Sequence, residues 1–189
     1  MTSDTLTPNP SETLDFLHQV NPGFPRRLFT IDPASGQILA KIFQPNDNQA
    51  LRVWLLAGAG TLNYYFLPNL PRENLGAVKP KKLDIEWVTH VWVDVDVPEA
   101  STLKALQNHS PKPSCIIFSG GGYQAFWALD TPMQDIARAE RINKTLASNL
   151  GGDSCHSVDH LMRLPGTINV PNANKLSKGR VPTLAYVVT

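Results

Sequence analysis

Apolar and polar residues alternate with a period of two along "VWVDVDVPE", residues 91–99. Val91, Val93, Val95 and Val97 fall on one side, and Trp92, Asp94 and Asp96 on the other. The pattern predicts a strand with the valines in a core and two carboxylates on the opposite face, about 6.6 Å apart along the chain. Upstream, Leu14, Phe16 and Leu17 with Glu12 in the first turn predict a short helix over residues 11–20. "RRLFTI" and "QILAKIF" flank the turn signal "DPASG" and predict two strands. An apolar ridge over residues 48–57, stopped by Gly58 and Gly60, predicts a buried helix, and "TLNYYFLPN" predicts a further strand.

Downstream of the aspartates, residues 98–109 predict a helix with Pro98 near its first turn. "SCIIFS" and "YQAFWAL" predict two strands around three glycines. Residues 133–150 give the clearest helical pattern, with Ile136, Ala139, Ile142, Leu146 and Leu150 on one face and Gly151 closing it. A loop-rich segment and a last strand, "TLAYVV", complete the order. Sixteen prolines between short periodic segments argue for an α+β chain with many turns. Residues 1–10 read as a disordered leader, and "PRENLGAVKPKKLD" as the boundary between a module of about residues 11–80 and one of about residues 81–189.

Composition narrows the picture little. With 42% hydrophobic and 17% charged residues in 189, this is an ordinary globular chain, and a net charge of +1 makes the placement of charge matter more than its sum. No apolar run reaches the ~20 residues that span a bilayer, and the N-terminus has no secretory pattern, so the expectation is a cytoplasmic protein without a membrane partner. Cys115 and Cys155 lack CxxC spacing and read as free thiols. Cys155, His156 and His160 have no zinc-site context and read as structural or incidental.

Three segments could carry chemistry. Asp94 and Asp96 offer hard oxygen ligands of the kind Mg²⁺ or Mn²⁺ takes, or else are simply solvated surface acids. "SGGGYQAFW" has one glycine more than a hairpin tip needs, which reads either as a flexible hairpin loop or as a loop whose Gly120, Gly121 and Gly122 backbone N–H groups approach a phosphate closely, with Ser119 adding a hydroxyl. "GGDSCHSVDHLMRLPGTINVPNANKLSKGR" sets Asp153 and Asp159 ahead of Arg163, Asn169, Lys175, Lys178 and Arg180, a basic loop beside acids that suits an anion next to a metal. Arg72, Lys79, Lys81 and Lys82 form a separate basic segment, either a solvated loop or a surface for nucleic-acid phosphates. No nucleophile elbow, phosphate-binding P-loop or HxH pair is present.

In this order the three segments resemble the archaeo-eukaryotic primase superfamily, specifically the primase-polymerase or RepB-like primase domains of phages, plasmids and integrated elements. The resemblance spans about residues 61–180. It implies an α+β catalytic core, with an N-terminal αβ module packed on a modified RNA-recognition-motif (RRM-like) module and the active site in the cleft between them. It also implies primer synthesis or template-directed extension through two divalent ions, Mg²⁺ or Mn²⁺. The metal-binding and catalytic acids become Asp94, Asp96 and Asp159, with Asp153 the rival for the third place. Nucleotide binding falls to Ser119, Gly120, Gly121, Gly122, Gln124, Arg163, Asn169 and Lys175, and DNA binding to Arg72, Lys79, Lys81, Lys82, Lys178 and Arg180. The second motif of the family usually ends in histidine where this chain has Gln124, which donates a hydrogen bond but carries no charge. Implied partners are a single-stranded DNA template, nucleoside triphosphates and a helicase domain or protein. A DNA-binding initiation module without polymerisation, or a metal-dependent nuclease, would use the same residues.

Overall fold

The computed structural model describes residues 6–188. Helix α1 (Pro10–Gln19) starts inside the segment read as a leader. Asn9 caps it by accepting the Glu12 N–H, and the Asn9 N–H donates to the Gly166 carbonyl at 2.8 Å. The remainder of that expectation, residues 1–5, lies outside the described residues. Strands β1 (Arg26–Ile31) and β2 (Ile38–Phe43) pair antiparallel through a turn in which the Asp32 carboxylate accepts from Ala34 and Ser35. Helix α2 (Asn48–Ala57) and strand β3 (Asn63–Phe66) follow as their patterns predict.

After the short β4 (Leu70–Pro71) comes β5 (Ile85–Val95), the strand that carries Asp94. Helix α3 (Ala100–Gln107), strands β6 (Cys115–Phe118) and β7 (Tyr123–Met133), and helix α4 (Ile136–Leu150) continue the chain. Helix α4 begins three residues later than its apolar periodicity suggests. Met133 still pairs with Val88, and the Asp135 side chain then caps the helix at Arg138. Short strands β8 (Met162–Arg163) and β9 (Ile168–Asn169), helix α5 (Ala173–Ser177), and strands β10 (Thr183–Leu184) and β11 (Tyr186–Val187) complete the order.

The last strand expected from "TLAYVV" is divided. Ala185 exchanges backbone hydrogen bonds with Gly166 and Thr167, so β10 pairs with β9 while β11 crosses to β6.

Two antiparallel sheets dominate, ordered β2-β1-β3-β8 and β11-β6-β7-β5-β4. Strands cross the line near residue 80 in both directions. β4 pairs with β5, and β8 adds to β3.

The five-stranded sheet is covered on both faces, and the period-two reading of β5 accounts for which residue faces what. Val91, Val93 and Val95 pack with Ile116, Ala125 and Trp127 against Leu106 of α3 and Ala139, Leu146 and Ala147 of α4. Trp92, fully buried, joins Phe126 and Ile117 on the other face, against Leu28, Phe66, Met162 and the α1 and α2 side chains. Asp94 follows Trp92 on that second face, so its carboxylate enters the space where apolar packing stops.

Candidate active site

Asp94 and Gln124 are register partners on β5 and β7. Gln124 Nε2 donates to Asp94 Oδ2 at 2.9 Å, and Gln124 Oε1 accepts the Arg163 N–H at 3.0 Å. The residue at the place of the usual histidine therefore orients an acid and anchors β8. Asp94 Oδ1 is buried and has no hydrogen-bond partner among the described residues. Burial raises the Asp94 pKa to about 7; the Gln124 bond and Arg163 act the other way, and Asp153 and Asp96 add to the rise.

The loop after α4 docks on the end of β5. The Asp153 N–H donates to the Asp94 carbonyl at 2.9 Å, and the Cys155 N–H donates to Asp153 Oδ1 at 3.0 Å. Asn143, 1% exposed on α4, secures this docking. Its Oδ1 accepts the Trp92 N–H and its Nδ2 donates to the His156 carbonyl, while Trp92 Nε1 donates to the Cys155 carbonyl. Ligand atoms of Asp94, Asp153 and Cys155 consequently lie within 4.8 Å of one another, the one such group of three among the described residues. Two carboxylates, one with a bare buried oxygen, fit a divalent cation, which would supply the missing partner.

A cavity of ≈ 380 Å³ opens beside these acids, lined by Asp94, Asp96, Gln124, Tyr65, Arg163 and Asn169, with Lys175, Lys178 and Arg180 also on its wall. Arg163 is 5% exposed, yet no carboxylate pairs with it among the described residues. Its guanidinium donates to Asn63 Oδ1, Tyr65 Oη and Asn169 Oδ1, each at 2.9 Å, and stacks 4.3 Å from the Tyr65 ring. Burial pulls its pKa below the usual arginine value, while Tyr65 and Asp94 act the other way. A buried cation held only by neutral oxygens leaves positive charge available to an anion. Three of its five N–H donors are committed, and two remain.

The glycine hairpin serves geometry first. A Cβ on Gly122 would strike the Val95 carbonyl, so β7 can approach β5 here only without a side chain. Gly120 has φ +91° and sits against Asn169. Ser119 turns inward: its hydroxyl and its N–H both donate to the Gly122 carbonyl. Gly120 and Gly121 line the cavity, and Arg180 Nη1 donates to the Gly121 carbonyl at 3.1 Å.

The structure places the remaining candidates unevenly. Asp159 accepts a short hydrogen bond from Ser157 and does not line the cavity; Asp153 is the acid beside Asp94. Lys82 forms an ion pair with Glu140 at 2.9 Å, and Arg72, Lys79 and Lys81 are exposed outside the cavity wall. Lys79 lies near enough to His160, a wall residue, to depress that imidazole's pKa, although burial is the larger cause. Sequence patterning passed over Asn143, Asn63 and Tyr65, which sit at ordinary helix and strand positions. It also set Cys155 aside, because a lone cysteine two residues after Asp153 and four before Asp159 has no recognisable metal-site spacing.

The antiparallel sheet thus carries acids at one strand end with a basic cavity beside them. The sequence matches the RepB DNA-primase N-terminal domain over residues 46–185, and the chain belongs to that family. Among solved structures it is similar to primase RepB′ (TM-score 0.69, 17% identity, 96% of this chain and 56% of that one). It is also similar to the catalytic domain of RepB′ in complex with initiator DNA (TM-score 0.66, 17% identity, 94% and 85% covered). A third likeness is to the AEP domain of the cyanophage S-2L primase-polymerase (TM-score 0.68, 14% identity, 97% and 91% covered). The chain thus spans little more than half the length of full RepB′. No curated protein matches the sequence. Among the described residues no helix is long and apolar enough to cross a membrane.

Proposed function

We propose that this chain synthesises or extends DNA primers by metal-dependent nucleotidyl transfer on a single-stranded DNA template. The observation that carries the reading is the pairing, at one cavity, of a buried carboxylate oxygen, Asp94 Oδ1, and a buried arginine, Arg163, the first without a hydrogen-bond partner and the second without an acid among the described residues. Asp94 and Asp153, with Asp96 at the exposed rim, would hold Mg²⁺ or Mn²⁺, ions that lower the pKa of an attacking hydroxyl and neutralise charge on phosphate oxygens. Asp153 takes the third place in this reading; Asp159 is engaged by Ser157 outside the cavity.

Arg163 binds the triphosphate through its two free donors, and Tyr65, Asn63 and Asn169 hold its plane fixed so that little side-chain entropy is lost on binding. Lys175 adds charge at the wall, and the Gly120–Gly121 backbone lets phosphate approach without side-chain hindrance. Gln124 keeps Asp94 oriented. Lys178 and Arg180, on the wall, and Lys79, near it, contact template phosphates, which makes binding weaken as salt rises. Lys82 is held by Glu140 and contributes less; Arg72 and Lys81 extend the basic surface. Copying requires unpaired bases, so a helicase activity supplies the template, in the replication of a mobile element.

The test is incorporation of labelled nucleotides on an unprimed single-stranded template with Mn²⁺ or Mg²⁺. Products of defined length from wild type, and none from Asp94→Asn or Asp153→Asn, are expected. Full activity in both variants would overturn the assignment. Shortening of labelled DNA without nucleotides would indicate a nuclease, and DNA binding without products an initiation module.

A further inference from the structure

Cys155 brings a sulfur to a place where two carboxylates already converge. Its Sγ lies within 4.8 Å of the ligand atoms of Asp94 and Asp153. Neighbouring oxygen and sulfur ligands of one tetrahedral ion stand about 3.6 Å apart, so movements of about 1 Å or less, within reach of side-chain rotation, bring all three to a single cation. Independently of the thiol, Asp94 Oδ1 is buried and unpartnered beside it. The loop is not free to carry the sulfur away: the Cys155 carbonyl accepts from Trp92 Nε1, its N–H is held by Asp153, and the next residue is held by Asn143.

We propose that Cys155 is a third ligand of the Asp94–Asp153 cation, and that the centre consequently prefers borderline first-row divalent ions, Co²⁺ and Zn²⁺, to Mg²⁺. The inference rests on the reading of these acids as a metal centre and adds the sulfur to it. Magnesium requires hard oxygen donors in a near-ideal octahedron and gains little from a thiolate. A borderline ion displaces the thiol proton to solvent and forms the metal–sulfur bond in its place. Such an ion therefore gains a ligand that Mg²⁺ does not use. A second consequence is that Zn²⁺, which favours sulfur and low coordination numbers, occupies the centre tightly and competes with the ion that supports incorporation.

The experiment is titration of the metal-free protein with Co²⁺, followed by absorption spectroscopy and calorimetry, with Mg²⁺ in parallel. Wild type and Cys115→Ser are expected to develop the near-ultraviolet thiolate-to-cobalt charge-transfer band. Cys155→Ser is expected to lack the band and to bind Co²⁺ about tenfold to a hundredfold more weakly, with Mg²⁺ affinity unchanged. The wild-type spectrum needs no variant to fold. Co²⁺ binding without the band, lost in Asp94→Asn, would overturn the role of Cys155 and leave the carboxylate centre standing. Absence of any Co²⁺ or Mn²⁺ binding would overturn both.

Discussion

Gln124 donates to Asp94 Oδ2 across the β5–β7 pair and accepts the Arg163 N–H with its other end, so one neutral side chain joins the acid to the arginine. Removing it frees Asp94 to rotate and leaves the Arg163 N–H unpaired in a buried position. Gln124→Ala is expected to lower kcat about tenfold to a hundredfold through misplaced ligands, with a smaller change in nucleotide KM. A variant whose KM alone rises would assign Gln124 to substrate binding instead.

A cation that binds only the folded chain stabilises it by an amount that grows with the logarithm of its free concentration over Kd. Mn²⁺ at a hundredfold above its Kd should add about 2.7 kcal/mol and raise Tm measurably in wild type. Asp94→Asn and Asp153→Asn should show no rise, while Asp159→Asn should behave as wild type. Thermal melts with and without chelator check all three, and a rise lost only in Asp159→Asn would restore Asp159 as the third acid.

Arg163→Lys keeps the charge but loses the planar fork that reaches Asn63, Tyr65 and Asn169 together. Nucleotide KM should increase about tenfold or more, and stability should fall by about 2 kcal/mol as buried amide oxygens lose donors. Steady-state incorporation and denaturant melts separate the two effects.

His90 is buried, and desolvation lowers its pKa to about 4 from the ordinary imidazole value of about 6.5. The folded chain thus binds fewer protons than the unfolded chain between these values. Its contribution to stability is complete above about pH 6.5 and is lost as pH falls towards 4, on the order of 3 kcal/mol in all. Wild-type melts from pH 7 to 4 should show this loss, and His90→Gln should flatten it.

Asn143→Leu keeps helical propensity but removes both bonds by which α4 ties the loop after it to β5. Two buried groups are left unpaired, at a cost of about 2–4 kcal/mol. Metal affinity should fall along with stability, because Asp153 is positioned by the same loop. Unchanged Mn²⁺ affinity in a destabilised variant would separate folding from the site.

The local periodicities of the chain determined most of its elements. Alternation through Val91–Val95 placed Asp94 on the Trp92 face of a strand, which ends before Asp96, and the apolar ridge at residues 48–57 marked α2 to the residue, because these signals depend only on side-chain direction along a single element. The glycines, the "RLPGT" segment and the two aspartates together were enough to indicate the family. Tertiary structure alone decided which acid stands beside Asp94, since Asp153 and Asp159 are six residues apart in one irregular loop whose path is set by Asn143 and Trp92. It also decided that "TLAYVV" divides between two sheets at Ala185 and that Gln124 faces Asp94. Contacts between residues distant in sequence depend on how whole elements pack, and no local pattern encodes them.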